Sequence, residues 1–220
     1  EAGSDVGIQI RFFKVDQVSA AEGAMKLKVW FRLTWYDPRL SWNSTEYGGI
    51  ETIYAGTVAD LAEIWVPDVT PYNVRVGLEA SFDATAASIS SGGYVFWSRP
   101  GIMDVMCKFS GLVQFPFDQL TCPIEVGAWS YNGNHLGLTL TNGGYTFDSQ
   151  EATAGSSYQE FSLESVNCSL DVFVYPSGAF PVAMYEVHLK RASFFYLNVA
   201  ILPPIALTIT SFGVFFMSYE

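Results

Sequence analysis

Two tryptophans stand where strand alternation calls for polar residues. From Met25 to Tyr36, the residues Met25, Leu27, Val29, Phe31, Leu33 and Trp35 form one face, while Lys26, Lys28, Arg32, Thr34 and Tyr36 alternate on the other, so Trp30 points away from the core its odd-numbered neighbours define. In another stretch Cys122, Ile124, Val126 and Ala128 alternate with Glu125 and Trp129, and again the tryptophan falls on the polar side. One outward Trp is as well explained by a covering loop or a cross-strand neighbour. Two, in strands far apart in sequence, suit an aromatic cage for an organic cation, which ring faces attract by roughly 0.5–2 kcal/mol per contact. The charge favours the same ligand class: 11 Lys and Arg against 22 Asp and Glu give a formal −11. With no basic run in an acidic chain, nucleic acid is excluded as a partner.

Other chemistries find little support. No nucleophile elbow, phosphate loop or paired-carboxylate motif occurs, so an enzyme is not expected. His135 and His188 lack ligand-spaced partners, so neither a metal nor a cofactor is expected. Three cysteines cannot all pair within the chain; Cys107 and Cys122 enclose fourteen residues, and a bridge closing such a loop would stabilise by about 3 kcal/mol. Asn43-Ser44-Thr45 and Asn167-Cys168-Ser169 are glycosylation acceptor patterns, which fit an exported domain.

The outward aromatics need strands to hold them. Residues 5–193 carry short period-two runs separated by Gly, Pro, Asn and Asp, with almost no sustained 3.6 period, which predicts an all-β, antiparallel β-sandwich. Half the residues are apolar and 15% charged, ample material for a core and too apolar for disorder. Tyr185, Val187 and Leu189 alternate with Glu186, His188 and Lys190 in a strand leading straight into Phe194 to Met217, twenty-four residues without a charge. That length spans a bilayer. Lys190-Arg191 precede it, Tyr219-Glu220 follow, aromatics at its ends suit the interfacial belt, and Pro203-Pro204 are tolerated in lipid where neighbouring helices satisfy the freed carbonyls. The expected organisation is an ectodomain at 1–193 on a membrane span at 194–217. No leader is visible at Glu1, which implies a mature N-terminus for an exported domain.

Between Cys107 and Cys122 lies Phe115-Pro116-Phe117-Asp118, which resembles the signature loop of the pentameric ligand-gated ion channels, the Cys-loop receptors. Trp35 to Asn43 resembles the family's W-x-D-x-x-L-x-W segment, Ile64 to Asp68 its I-W-x-P-D and Gly127 to Tyr131 its G-S-W-S-Y. Arg191 matches the Arg before its first membrane helix. The resemblance runs from about Gly7 to Met217. It implies a sandwich ectodomain, five copies around an axis, and a small neurotransmitter-like agonist held between identical or homologous subunits at the plasma membrane, with the N-terminal domain outside. It also implies a Cys107–Cys122 disulfide with Cys168 left unpaired.

The family's pocket residues carry over where motifs align. Tyr72 and Trp129 match principal-face aromatics, and Phe173, Tyr175 and Phe180 compete for two positions on a capping hairpin between Asn167 and Tyr185. Trp30 and Arg32 match the complementary-face strand, with Val95 and Trp97 assigned to the adjoining one. Both faces occur on one chain type, so a homopentamer is the simplest assembly. Matched aromatics and acidity favour an amine agonist, while Arg32 at a position that pairs with a ligand carboxylate in glycine and GABA receptors keeps an amino acid open. The loop between the cysteines is one residue longer than usual in animal receptors, and the capping hairpin lacks the adjacent cysteine pair of nicotinic α subunits. The family has four spans, the second lining the pore; one is present, so a fragment is expected and ion selectivity lies outside this sequence.

For coupling to the membrane, Asp118 and Arg191 are the expected ion pair, Glu22 a third partner, and Phe115, Pro116 and Phe117 an apolar tip facing the membrane helices. The competing reading is a membrane-anchored β-sandwich adhesion or binding receptor without channel activity. Such a module has no need of Phe115 to Asp118 together with Arg191 at the membrane boundary.

Overall fold

Alternation becomes strand wherever one face can be buried, and the computed structural model, which describes residues 4–57, 62–110, 112–147 and 160–216, contains ten such strands among them. They are β1 (Ser4–Ser19), β2 (Ala24–Tyr36), β3 (Thr52–Ala55), β4 (Val69–Pro71), β5 (Ala87–Ser90), β6 (Tyr94–Met106), β7 (Gln119–Ala128), β8 (Leu136–Phe147), β9 (Phe161–Tyr175) and β10 (Gly178–Arg191). A six-stranded sheet runs β3-β5-β6-β2-β1-β8 and a four-stranded sheet runs β4-β7-β10-β9. This is the expected β-sandwich, with one difference: β1 and β8 pair in parallel, all other ladders being antiparallel.

The core lies between the sheets. β2 contributes Met25, Leu27, Val29, Phe31, Leu33 and Trp35, all buried, as its alternation requires. β7 contributes Cys122, Ile124, Val126 and Ala128, and β10 contributes Tyr185, Val187 and Leu189. β1 breaks register between Phe12 and Lys14. Phe12 points inward in step with Ile8 and Ile10, 6.2 Å from the Tyr185 ring, and Phe13, the extra residue of the bulge, stays on the outer face.

A Cys107–Cys122 disulfide fastens the end of β6 to β7 and so joins the two sheets. Cys168 carries no bridge. It sits opposite Tyr185 in the β9–β10 ladder. Burial pushes its thiol up to about 11, and burial together with the neighbouring Cys168 pushes the Tyr185 hydroxyl well above the usual tyrosine range. That hydroxyl donates to the Gly144 carbonyl at 2.9 Å, so it is buried but satisfied.

β10 ends at Arg191, and a helix long and apolar enough to cross a membrane follows directly at Ser193–Gly213, with none of its apolar window buried. A π-turn at Leu197–Ile201 precedes Pro203 and Pro204, whose missing N–H groups break the usual ladder at this point. Thr208 turns its hydroxyl back onto the Pro204 carbonyl, and Thr210 and Ser211 turn theirs onto that of Leu207, so each donor is satisfied within the helix. The expected end of the span at Met217, and Tyr219-Glu220 beyond, lie outside the described residues.

The Cys168–Tyr185 pair predicts a pH effect. An unfolded thiol ionises near 9.0, the folded one near 11, so the stability it contributes is intact below pH 9 and is lost as pH rises from 9 to 11, with Tyr185 adding its own loss above 10. Melting temperatures in detergent should fall over that window, and Cys168→Ala should flatten the fall. An unchanged slope in the variant would contradict this account.

Candidate functional site

At one end of the four-stranded sheet, a cleft of about 340 Å³ is lined by Tyr72, Glu125, Ala128, Trp129, Tyr175, Ser177 and Phe180. Tyr72 follows β4, and its hydroxyl donates to the Ala128 carbonyl at 2.9 Å. Only glycine at position 127 permits this: a Cβ there would lie 2.3 Å from the Tyr72 hydroxyl oxygen. The Trp129 ring stands edge-on to Tyr72 with centroids 6.0 Å apart. It remains 69% exposed, presenting a ring face to the cleft.

The opposite wall is the β9–β10 hairpin, where Tyr175 and Phe180 meet at 5.8 Å. The hairpin is steadied by the loop after Trp129, because Asn132 donates its amide to the Ser177 carbonyl (3.2 Å) and Gly133 N–H donates to Ala179 (2.8 Å). Of the three aromatics competing for this wall, Tyr175 and Phe180 line the cleft. Phe173 does not; it pairs with Phe180 across the ladder but is absent from the lining. Glu125, missed as a site residue in the sequence, adds a carboxylate beneath the rings. Burial, then Tyr175, Asp68 and Glu125, push the Tyr72 hydroxyl up to about 12, so it remains a neutral donor at physiological pH.

Trp30 and Arg32 lie on the outer face of the six-stranded sheet, as alternation requires. Trp30 stacks on Phe13 at 6.4 Å with ring planes 11° apart, and the guanidinium carbons of Arg11 and Arg32 stand 4.9 and 5.2 Å from its centre. Arg32 also donates to Gln9 Oε1 at 2.9 Å. Burial, and after it the nearby Arg11 charge, lowers the Arg32 pKa. Arg11 went unnoticed because only the β1–β2 register brings it opposite Trp30.

Val95 and Trp97 do not join this face. They are 2% and 6% exposed and point into the core. The β2–β6 ladder sets Arg32 against Ser98 and Thr34 against Phe96, so Ser98 and Phe96 share the face that carries Trp30. Alternation carried upward from Asp104, a polar residue on the outer side of β6, would have found them.

A buried charge cluster occupies the opposite end of β10. Arg191 donates to both oxygens of Asp118, Nε to Oδ1 at 2.7 Å and Nη2 to Oδ2 at 3.0 Å, and the two residues are 7% and 1% exposed. Nη1 donates to Glu160 and to the Tyr196 hydroxyl, which itself donates to Glu160 Oε1 at 2.6 Å. Phe161, Phe115 and Tyr196 surround the guanidinium with ring centres at 4.3, 5.1 and 5.2 Å. Phe115 and Phe117 are exposed, and the Phe115-Pro116 bond is cis.

Glu22 is not the third partner expected. It pairs with Arg75 at 3.1 Å, because the Arg75 backbone is tied to Asp104 on the neighbouring β6. Glu160 takes the place, brought there by the β9–β10 register that sets Phe161 opposite Arg191. Asn43 and Asn167 are both exposed.

Residues 1–193 match the model of the neurotransmitter-gated ion-channel ligand-binding domain. Similar proteins include the acetylcholine receptor subunit alpha-L1 of Schistocerca gregaria, 27% identical over 96% of this chain and 38% of that protein. The neuronal acetylcholine receptor subunit alpha-9-I of Oncorhynchus mykiss is 29% identical over 90% of this chain and 33% of its own length. The acetylcholine receptor subunit alpha-type acr-16 of Caenorhabditis elegans is 28% identical over 93% and 39%. The chain thus spans well under half the length of these relatives.

The charge cluster gives a graded expectation. Asp118→Asn leaves a buried guanidinium short of its counter-charge and should destabilise by about 3 kcal/mol or more. Glu160→Gln should cost less, its side chain being 48% exposed. Glu22→Gln, on a surface pair, should stay within about 0.5 kcal/mol. Chemical denaturation of the three variants checks the order, and equal losses at Glu22 and Asp118 would contradict it.

Proposed function

Because the chain belongs to the neurotransmitter-gated ion-channel family, the Cys-loop receptors, we propose that it is part of a channel subunit that binds a small ammonium-bearing agonist between neighbouring subunits and couples binding to opening of a pore. The observation that carries this reading is the cleft of Tyr72, Trp129, Tyr175 and Phe180 above the Glu125 carboxylate. Aromatic faces beside an anion are a cation site, and the tight positioning of Tyr72 by Gly127 pre-organises it. Residues 1–193 are assigned to the extracellular ligand-binding domain and 194–217 to the first span, in the plasma membrane. Five subunits, identical in the simplest case, would place the Trp30 face of one against the cleft of the next. Exposed Asn43 and Asn167 are assigned as glycosylation acceptors.

A second observation narrows the agonist. Two guanidiniums flank Trp30, and the Arg32 fork on this face suits a ligand that also bears a carboxylate. This favours a zwitterionic amino acid over the simple amine expected from the aromatic count. Agonist capture would draw the β9–β10 hairpin inward, and β10 runs from that hairpin to Arg191, where Asp118, Glu160 and Tyr196 converge at the membrane. An adhesion receptor gains nothing from such a cluster.

Trp129→Ala in the assembled receptor should weaken agonist binding by about 2 kcal/mol or more. Arg32→Ala should cost at least as much for amino acids and little for simple amines. Titrating both variants with a panel of each decides between them, and a panel in which neither substitution alters any response would sink the inter-subunit site. Arg191→Ala should abolish currents while leaving binding to surface receptor intact; normal currents would remove Arg191 from the coupling route.

A further inference from the structure

A second cavity, of about 810 Å³, lies within the single chain and shares no lining residue with the agonist cleft. Its walls include Phe31, Phe82, Trp97 and Leu78, and three charged residues line it, Asp68, Glu79 and Arg99. Arg99 reaches it because it lies on the inward-facing side of β6, in step with Trp97 and Gly101. Its guanidinium carbon stands 4.8 Å from the Trp97 ring centre and 5.7 Å from that of Phe82, and Nη2 donates to the Leu78 carbonyl at 3.2 Å.

Two buried polar atoms here have no partner among the described residues: the Nε donor of Arg99 and the Oδ1 acceptor of Asp68. Folded proteins leave few such atoms, and each calls for a water or a ligand. Waters alone would satisfy them but would wet three aromatic walls. A cavity within the usual range of roughly 300–1,000 Å³, with aromatic walls and a few charged groups, has the make-up of a small-molecule site.

Asp68 also touches the agonist cleft from behind. Its Oδ2 accepts from Ser130 N–H at 2.6 Å, and its carbonyl accepts from Trp129 N–H at 3.4 Å. We propose that this cavity is a modulator site inside one subunit, taking a small aromatic molecule that presents a hydrogen-bond acceptor to Arg99 and a donor to Asp68. A ligand held by Oδ1 fixes the carboxylate whose other oxygen and whose backbone position Ser130 and Trp129, so it changes how firmly the cleft closes. Occupancy of the cavity stands by itself; modulation rests on the inter-subunit agonist reading.

The test uses 4-hydroxybenzamide, a neutral ring with a carbonyl acceptor and a phenol donor, and saturation-transfer NMR on the assembled receptor. Saturable binding in the millimolar range is expected, weakened tenfold or more by Arg99→Lys, which keeps the charge but loses the planar fork, and abolished by Ala84→Trp at the cavity's exposed rim. Trp129→Ala, which disables the agonist cleft, should leave probe binding intact. Loss of probe binding in Trp129→Ala, full binding in Ala84→Trp, or no saturable binding in the unmodified receptor would each overturn the site. If Ala84→Trp lowers the melting temperature, Arg99→Lys carries the comparison. Bound probe should shift agonist affinity by about fivefold or more; an unchanged affinity at saturating probe would overturn modulation.

Discussion

A guanidinium taken out of water must find counter-charges at fixed distances, since removing one partner of a buried ion pair costs several kcal/mol. Arg191 finds them on separate stretches of chain: Asp118 in the loop closed by Cys107 and Cys122, and Glu160 at the start of β9, with the Tyr196 hydroxyl in the first turn of the terminal helix. None of these segments can shift without breaking a bond to the same side chain. The disulfide holds the loop to both sheets, so Asp118 is presented from a firm base. The rest of the molecule is arranged around this point, with the two long strands β9 and β10 leaving it together and ending at the aromatic hairpin.

The far end follows different physics. There the side chains are exposed and held by geometry at the backbone: the missing side chain at Gly127, the Tyr72 hydroxyl on Ala128 and the Asn132 amide on the hairpin turn. Rings that keep a face to solvent retain surface with which to attract a partner. Buried charge at one end and exposed aromatic surface at the other divide rigidity and recognition between the ends of the same two strands.

Alternation made much of this legible. β2 displays it because charged and apolar residues take turns, which revealed Trp30 and Arg32 at once. β6 hides it, since Tyr94, Val95, Phe96 and Trp97 are all apolar and the charged Arg99 lies on the inward side, against the outward Ser98 and Asp104. Hence Val95 and Trp97 were assigned to the wrong face. Motif spacing located Tyr72, Trp129 and the Asp118–Arg191 pair. Glu160 had no such signal: it lies 31 residues from Arg191, and only the hairpin register brings the two together. Arg11 was hidden likewise, since only the β1–β2 register sets it opposite Trp30.

The parallel ladder between β1 and β8 bears on how the molecule is made. Val6 pairs with Leu138 and Phe12 with Phe147, so β1 finds one of its two edges only after about 130 further residues have been made. Pairings this distant are slow, because loop-closure entropy is lost before any contact compensates. During translation the free edge of β1 is an open template for a wrong partner. Formation of this ladder, rather than its stability in the finished sandwich, is therefore the step at which β1 is most open to a wrong partner.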